Sequence, residues 1–405
     1  MKLIATTALA LVAAFAATPV AAQNKPAAAQ PAAPAIKPSS KALKALIDLQ
    51  TAVKANDTAN IPAKVAAAQA VASTPEDRYL VAQLQLQAAV KANDMNTAAT
   101  ALAAMQASGV GSKADLATVY NGLGGSFYTA KQYDKAADAF AHAVALNPSD
   151  IKSQELVGES YLAAGEKAQA AAAFQRAIQM QTAAGQKPEE TLLKRTLAIA
   201  YDQQAPNSVE LARQWVAAYP SPASWSDSIA IYRNLNHPDT ESTIDLYRLM
   251  ALTNSLTGPQ WAQYARAEAE FGNFNEAQAA YDAGVAAKLI NPASSEYSDL
   301  ATGLKTKPKA TAADLAAATK TAVSGMALLR IGDRYYAMGD YAKAVELYKM
   351  AMGKPGVDAA VANLHVGMAL ARAGDKAGAT AAFNAVSGPR ADIAKFWLTY
   401  VSQRA

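Results

Sequence analysis

The chain has 405 residues, a net charge of +4 and no cysteine, so disulfides, thiol catalysis, thiolate metal sites and a lipid-anchored amino-terminal cysteine are excluded. Only 17% of residues are charged and no long block carries one sign, which leaves no electrostatic footprint for nucleic acid or an anionic membrane. Alanine makes up roughly a quarter of the chain while valine and isoleucine are sparse, which predicts an all-α fold.

In chain order, Lys2, the apolar run Leu3 to Ala17, Pro19 and the small residues Val20, Ala21 and Ala22 read as a secretory signal peptide cleaved before Gln23. The run is shorter than the ~20 apolar residues of a spanning helix, and no later stretch is long and apolar enough to form a transmembrane segment. The expectation is a periplasmic or secreted protein. Residues 23–38 are dominated by alanine and proline, and Pro26, Pro31, Pro34 and Pro38 predict a flexible linker.

The next stretch, 39–110, contains an echo: Leu49 to Asp57 reads LQTAVKAND and Leu86 to Asp94 reads LQAAVKAND. Two divergent helical hairpins are predicted there.

A stronger echo follows, at an offset of thirty-four residues. From Ala117 it carries Tyr120, Leu123, Gly124, Phe127, Ala136, Phe140, Ala143 and Pro148; from Ile151, Val157, Gly158, Tyr161, Ala170, Phe174 and Ala177. From Gly325 it returns as Leu328, Ile331, Gly332, Tyr335, Ala344, Tyr348 and Ala351. Small residues allow helices to approach, and the aromatics fill the space beside them. In size, order and period these residues resemble the tetratricopeptide repeat (TPR) family. Further units are expected at 258–291, with Trp261, Gly272, Phe274, Ala277 and Tyr281, and at 360–390, with Val366, Gly367, Gly374, Ala379 and Phe383. Degenerate units fit 191–256 and 292–324, the latter with helices at about 294–304 and 312–321. Residues 391–405, carrying Ile393, Phe396, Trp397 and Tyr400 at helical spacing, suit a capping helix over the last unit.

The resemblance implies a right-handed solenoid of helical hairpins whose first helices line a concave groove. Carried onto these units, the groove positions include Asn121 and Tyr128; Lys152, Glu155 and Glu159; Arg266; Leu329, Asp333 and Tyr336; and Leu364, Met368 and Arg372. Some members grip a terminal carboxylate through lysines and asparagines on successive first helices. Here Asn121 is followed by Glu155 and Glu159, which disfavours that grip.

No reactive constellation emerges. Gly122 to Gly125 lies inside a repeat helix, with no strand before it and no Gly-Lys-Ser/Thr after it. His142, His237 and His365 fall on different units without zinc-ligand spacing, so neither metal nor cofactor is expected. Glu189, Glu190, Glu268 and Glu270 read as solvated helix faces. Trp261, Tyr281, Tyr335, Tyr341 and Tyr348 read as core, whereas Trp215, Trp225 and Trp397 suit either core or a binding surface. The function expected is a non-enzymatic scaffold for a protein or peptide; the alternative is a structural subunit of an envelope assembly, such as a polysaccharide or outer-membrane export complex.

Overall fold

The computed structural model describes residues 36–404, in which all regular structure is helical. The proposed signal peptide and most of the linker lie outside the described residues. The chain divides at Leu192 into two compact units.

Unit 1 contains α1 (Ser40–Lys54), α2 (Ile61–Val71), α3 (Pro75–Lys91), α4 (Met95–Ala107), α5 (Lys113–Thr129), α6 (Tyr133–Leu146), α7 (Ile151–Ala164) and α8 (Lys167–Ala183). Each helix packs on its neighbour in sequence, as a hairpin array requires. Ser39, just before α1, is tied down by Asp77, whose carboxylate accepts from Ser39 N and Ser39 Oγ, both at 2.7 Å, and from the Ser73 and Thr74 amides. Burial opposes that charge, but the hydrogen bonds outweigh it and bring the Asp77 pKa down to about 2.

The upstream echo is turn chemistry. Asn56 and Asn93 end α1 and α3 with φ of 53° and 54°, the left-handed region that asparagine tolerates better than most residues. Asp94 then caps α4 by accepting from the Thr97 amide at 3.0 Å.

The repeat positions Phe127, Ala136, Phe140, Ala170, Phe174, Tyr335, Ala344 and Tyr348 are buried, and Tyr161 is half-buried. A Cβ on Gly124 would lie 2.7 Å from the Phe140 ring. On Gly158, Gly332 and Gly367 it would lie 2.5 Å from the rings of Phe174, Tyr348 and Phe383. In each pair the second helix's ring occupies the space that a side chain on the first helix would need.

The division between the units falls within α9 (Glu190–Asp202). Unit 2 continues with α10 (Ser208–Ala218), α11 (Pro222–Asn236), α12 (Thr240–Leu252), α13 (Gly258–Glu270), α14 (Phe274–Ala286), α15 (Ser295–Thr306), α16 (Ala312–Thr321), α17 (Gly325–Ala337), α18 (Tyr341–Met352), α19 (Ala359–Ala373), α20 (Lys376–Asn384) and α21 (Ala391–Gln403). Although α15 and α16 occupy one repeat length, α17 packs directly on α14 while α15 lies against α13 and α14.

The last helix, α21, covers α20 and also returns to α10 and α12. Phe396 lies 6.4 Å from the Trp225 ring and 6.0 Å from the Tyr232 ring. Gln403 Nε2 donates to the Val216 carbonyl at 2.8 Å, and Trp397 Nε1 to the Asp245 carbonyl at 3.3 Å. Unit 2 is therefore fastened between its end and its beginning, and Trp215, Trp225 and Trp397 are core residues.

Candidate functional site: a groove over a buried ion network

Along α12, Glu241, Asp245 and Arg248 recur at helical spacing and point into unit 2. Arg248 is 4% exposed. Its Nε and Nη2 donate to the two oxygens of Glu276 at 2.7 Å each, Nη2 also to Glu268 at 3.0 Å, and Nη1 to Asp245 at 3.3 Å. Asn273 bridges the two glutamates, donating at 2.9 and 2.8 Å, and the Tyr264 hydroxyl donates to Glu276. His365, from α19, sits between Asp245 at 3.2 Å and Asp333 at 3.0 Å. Arg390 bonds Asp245 at 2.9 Å and Glu241 at 2.8 Å, and Arg330 reaches Glu241 at 3.0 Å and Asp333 at 3.6 Å.

Burial alone would discharge His365, but Asp245 and Asp333 overcome it and push its pKa up to about 10. Burial likewise works against the Asp333 carboxylate, yet His365, Arg248 and Arg330 hold its pKa well below the usual range. Burial and then the Glu276 carboxylate push Glu268 well upward, favouring its protonated form. Arg248, Arg330, His365 and Arg390 are thus interleaved with the carboxyl groups of Glu241, Asp245, Glu268, Glu276 and Asp333. This pairing is what lets charged groups persist in a buried setting.

Arg248 lines two openings. One is a cleft of about 10 Å³, room for about one water, beside Glu241, Glu268, Asp333 and His365. The other is a cavity of about 280 Å³. Its aromatic walls are Trp261 and Tyr264, stacked with centroids 6.3 Å apart, and Tyr336 and Tyr341, edge to face at 5.5 Å. Ala251, Ala279, Ala280, Ala283 and Ala337 leave the space open. Arg248 lies 5.1 Å from the Tyr336 centroid, and Arg372 lies 5.2 Å from that of Tyr341.

Of the expected groove residues, Asp333, Tyr336 and Arg372 converge on these two openings. Asp333 is committed to the ion network, however, and is 5% exposed. Met368, Leu364 and Leu329 are buried, because α19 and α17 are enclosed by neighbouring helices, so none offers a groove surface. Arg266 is exposed on α13 and donates to the Glu296 carbonyl at 3.4 Å. In unit 1, Asn121 accepts from Ser153 at 2.8 Å and donates to Asp150 at 3.3 Å. Lys152 pairs with Glu155 at 3.2 Å, Glu159 is half-buried, and Tyr128 is exposed against Tyr133 at 5.2 Å.

Two sequence expectations are corrected. Glu268 is not solvated but 2% exposed, held by Arg248 and Asn273. Trp261 and Tyr341, expected in the core, are half-buried and line the cavity. Arg248, Asp245, Glu276 and Arg390 were not anticipated at all. Their available signal was a pair of charges, Asp245 and Arg248, set in the otherwise uncharged stretch Ile244 to Met250, every residue of which is buried.

Residues 78–151 in unit 1 and 329–392 in unit 2 match the profile of the tetratricopeptide repeat. Among solved structures, a tetratricopeptide repeat protein from Parabacteroides merdae is 13% identical, covering 72% of this chain and 99% of its own, with a TM-score of 0.26. PilF from Pseudomonas aeruginosa is 16% identical over 65% of this chain and 97% of its own, with a TM-score of 0.22. The C-terminal part of a TPR repeat-containing protein from Cytophaga hutchinsonii is 14% identical over 71% and 98%, with a TM-score of 0.26. No curated protein matches. The matched segments contain the pairs Gly124–Phe140, Gly332–Tyr348 and Gly367–Phe383, so that each unit carries segments of the tetratricopeptide repeat type with the same ring-on-glycine packing.

Proposed function

We propose that this protein is a non-enzymatic scaffold that holds a polypeptide in the cavity of unit 2, and that it works in the periplasm or after secretion. The observation that carries the reading is the cavity of about 280 Å³ walled by Trp261, Tyr264, Tyr336 and Tyr341 and set above a network that fixes its floor. Tyrosine and tryptophan supply large contact area at low entropic cost, which suits recognition. The charged groups beneath speak for a structural role, since each is answered by an opposite charge and the cleft beside His365 admits about one water. The leader-like residues before Gln23 support the location.

A photo-crosslinking amino acid at Ala279, an exposed residue of the cavity wall, tests the groove. A defined polypeptide adduct is expected in cells and should disappear when Ala283→Trp fills the cavity. An adduct indifferent to Ala283→Trp, or none, would overturn the groove. Cell fractionation with mass measurement tests the location, which requires an extracytoplasmic chain beginning at Gln23.

A further inference from the structure

We propose that the unit 2 cavity is a two-part subsite for an acidic peptide segment: it seats one aromatic side chain against Trp261, Tyr264 and Tyr336 and pairs a neighbouring Asp or Glu carboxylate with Arg372. This rests on the groove reading and names the chemistry of its occupant.

Size gives the first half. At about 280 Å³ the space sits at the lower end of ligand pockets, enough for a large side chain and too small for a helix or hairpin. Its walls offer ring faces and alanine methyls, which favour an aromatic guest through offset or edge-to-face contact.

Charge gives the second half. The charged lining residues are Arg248, Glu276 and Arg372. Arg248 and Glu276 neutralise each other through two hydrogen bonds of 2.7 Å. Arg372 instead directs Nε and Nη2 at the neutral hydroxyl oxygen of Tyr341, at 2.9 and 2.5 Å. Tyr341 thus orients the guanidinium at the rim without cancelling its charge, and the complement of that charge is an anion. One guanidinium matches one carboxylate, and it can make the charge-assisted bonds that distinguish carboxylate from amide. Among the described residues that line the site, Arg248 is paired with Glu276 and only Arg372 is left to face an anion, not the row of cationic side chains that holds a chain terminus, so the carboxylate is assigned to a side chain within the segment.

The test uses the full chain and fluorescent peptides blocked at both ends, with anisotropy as the readout. The probe carries adjacent Phe and Glu in an alanine-serine background, and its variants change Phe to Ala, Glu to Gln, or delete Glu and leave a free carboxyl terminus after Phe. The Phe–Glu probe should bind best, with each single change weakening it about tenfold, the scale of a lost charged hydrogen bond or a lost buried ring. Arg372→Gln should bind the Glu and Gln peptides equally, whereas Ala283→Trp should abolish binding of all. Retained tryptophan emission and circular dichroism establish that the variants are folded. Equal binding of all peptides, no binding at millimolar concentration, or preference for the free terminus would each overturn the proposal. If crosslinking at Ala279 still succeeds, the groove stands and only the chemistry of its occupant has failed.

Discussion

Tyr348 donates its hydroxyl proton to Asp333 Oδ1 at 2.9 Å while its ring fills the space left by Gly332. The equivalent rings on Gly124, Gly158 and Gly367 belong to Phe140, Phe174 and Phe383, which have no polar tip. One repeat therefore uses the packing ring of the family for a second purpose, anchoring the ion network to the helical array. Tyr348→Phe keeps the ring and removes the bond, and should cost about 1.5 to 3 kcal/mol, the range for a hydrogen bond to a charged group. Guanidinium denaturation followed by tryptophan emission measures this in unit 2 alone, because Trp215, Trp225, Trp261 and Trp397 all lie there.

Neighbouring glycines on α5 should respond oppositely to the same change. A Cβ on Gly124 meets the Phe140 ring at 2.7 Å, whereas one on Gly125 meets nothing within 4 Å. Gly124→Ala should lose about 1 to 3 kcal/mol from overpacking, partly offset by helix propensity. Gly125→Ala should gain about 0.5 to 1 kcal/mol, since it only reduces the freedom of the unfolded chain. Circular dichroism melts of the two variants check the contrast.

Arg248→Met should be among the most damaging single changes in unit 2. It leaves Glu276, Glu268, Asp245 and Asp333 facing one another without the guanidinium that joins them. Breaking a buried pair from one side costs about 3 to 5 kcal/mol. A loss below about 1 kcal/mol by tryptophan-monitored denaturation would contradict the network as described.

Unit 2 should weaken as pH rises above neutral. His365 has its pKa raised from 6.5 to about 10, so the stability it contributes is complete below about pH 6.5 and declines as pH approaches 10. Glu268, also shifted upward, acts in the same direction, beginning above its ordinary 4.5. Asp333 acts oppositely: its lowered pKa gives stability present above 3.8 and lost as acid titrates it. The tryptophan-monitored midpoint should therefore fall between about pH 6 and about pH 10, and His365→Gln should flatten much of that slope. An unchanged wild-type midpoint over the range would refute the assignment.

The hairpins were legible because Gly124, Phe140 and their equivalents impose size at fixed spacing, and size is a property that a sequence displays directly. The echo at Asn56 and Asn93 was visible as repetition, although its cause, left-handed turns followed by a capping aspartate, is a backbone property. Arg248 and Glu268 were illegible for another reason. A buried ion pair is defined by partners on other helices, and Glu268 on α13 has the same local spelling as a solvated surface glutamate. Trp261 misled in the opposite direction: its repeat position usually packs, but here alanines on α14 leave its ring facing open space.

The return of α21 to α10 and α12 changes the mechanics of the domain. A stack whose members touch only their neighbours behaves as a spring, stretching and recoiling at little cost. Clasped at both ends by Phe396 between Trp225 and Tyr232 and by Arg390 on Asp245, unit 2 has lost that compliance. Its cavity is a mould rather than a hand. A guest must arrive in a shape that fits, and little of its binding energy is spent on closing the protein around it.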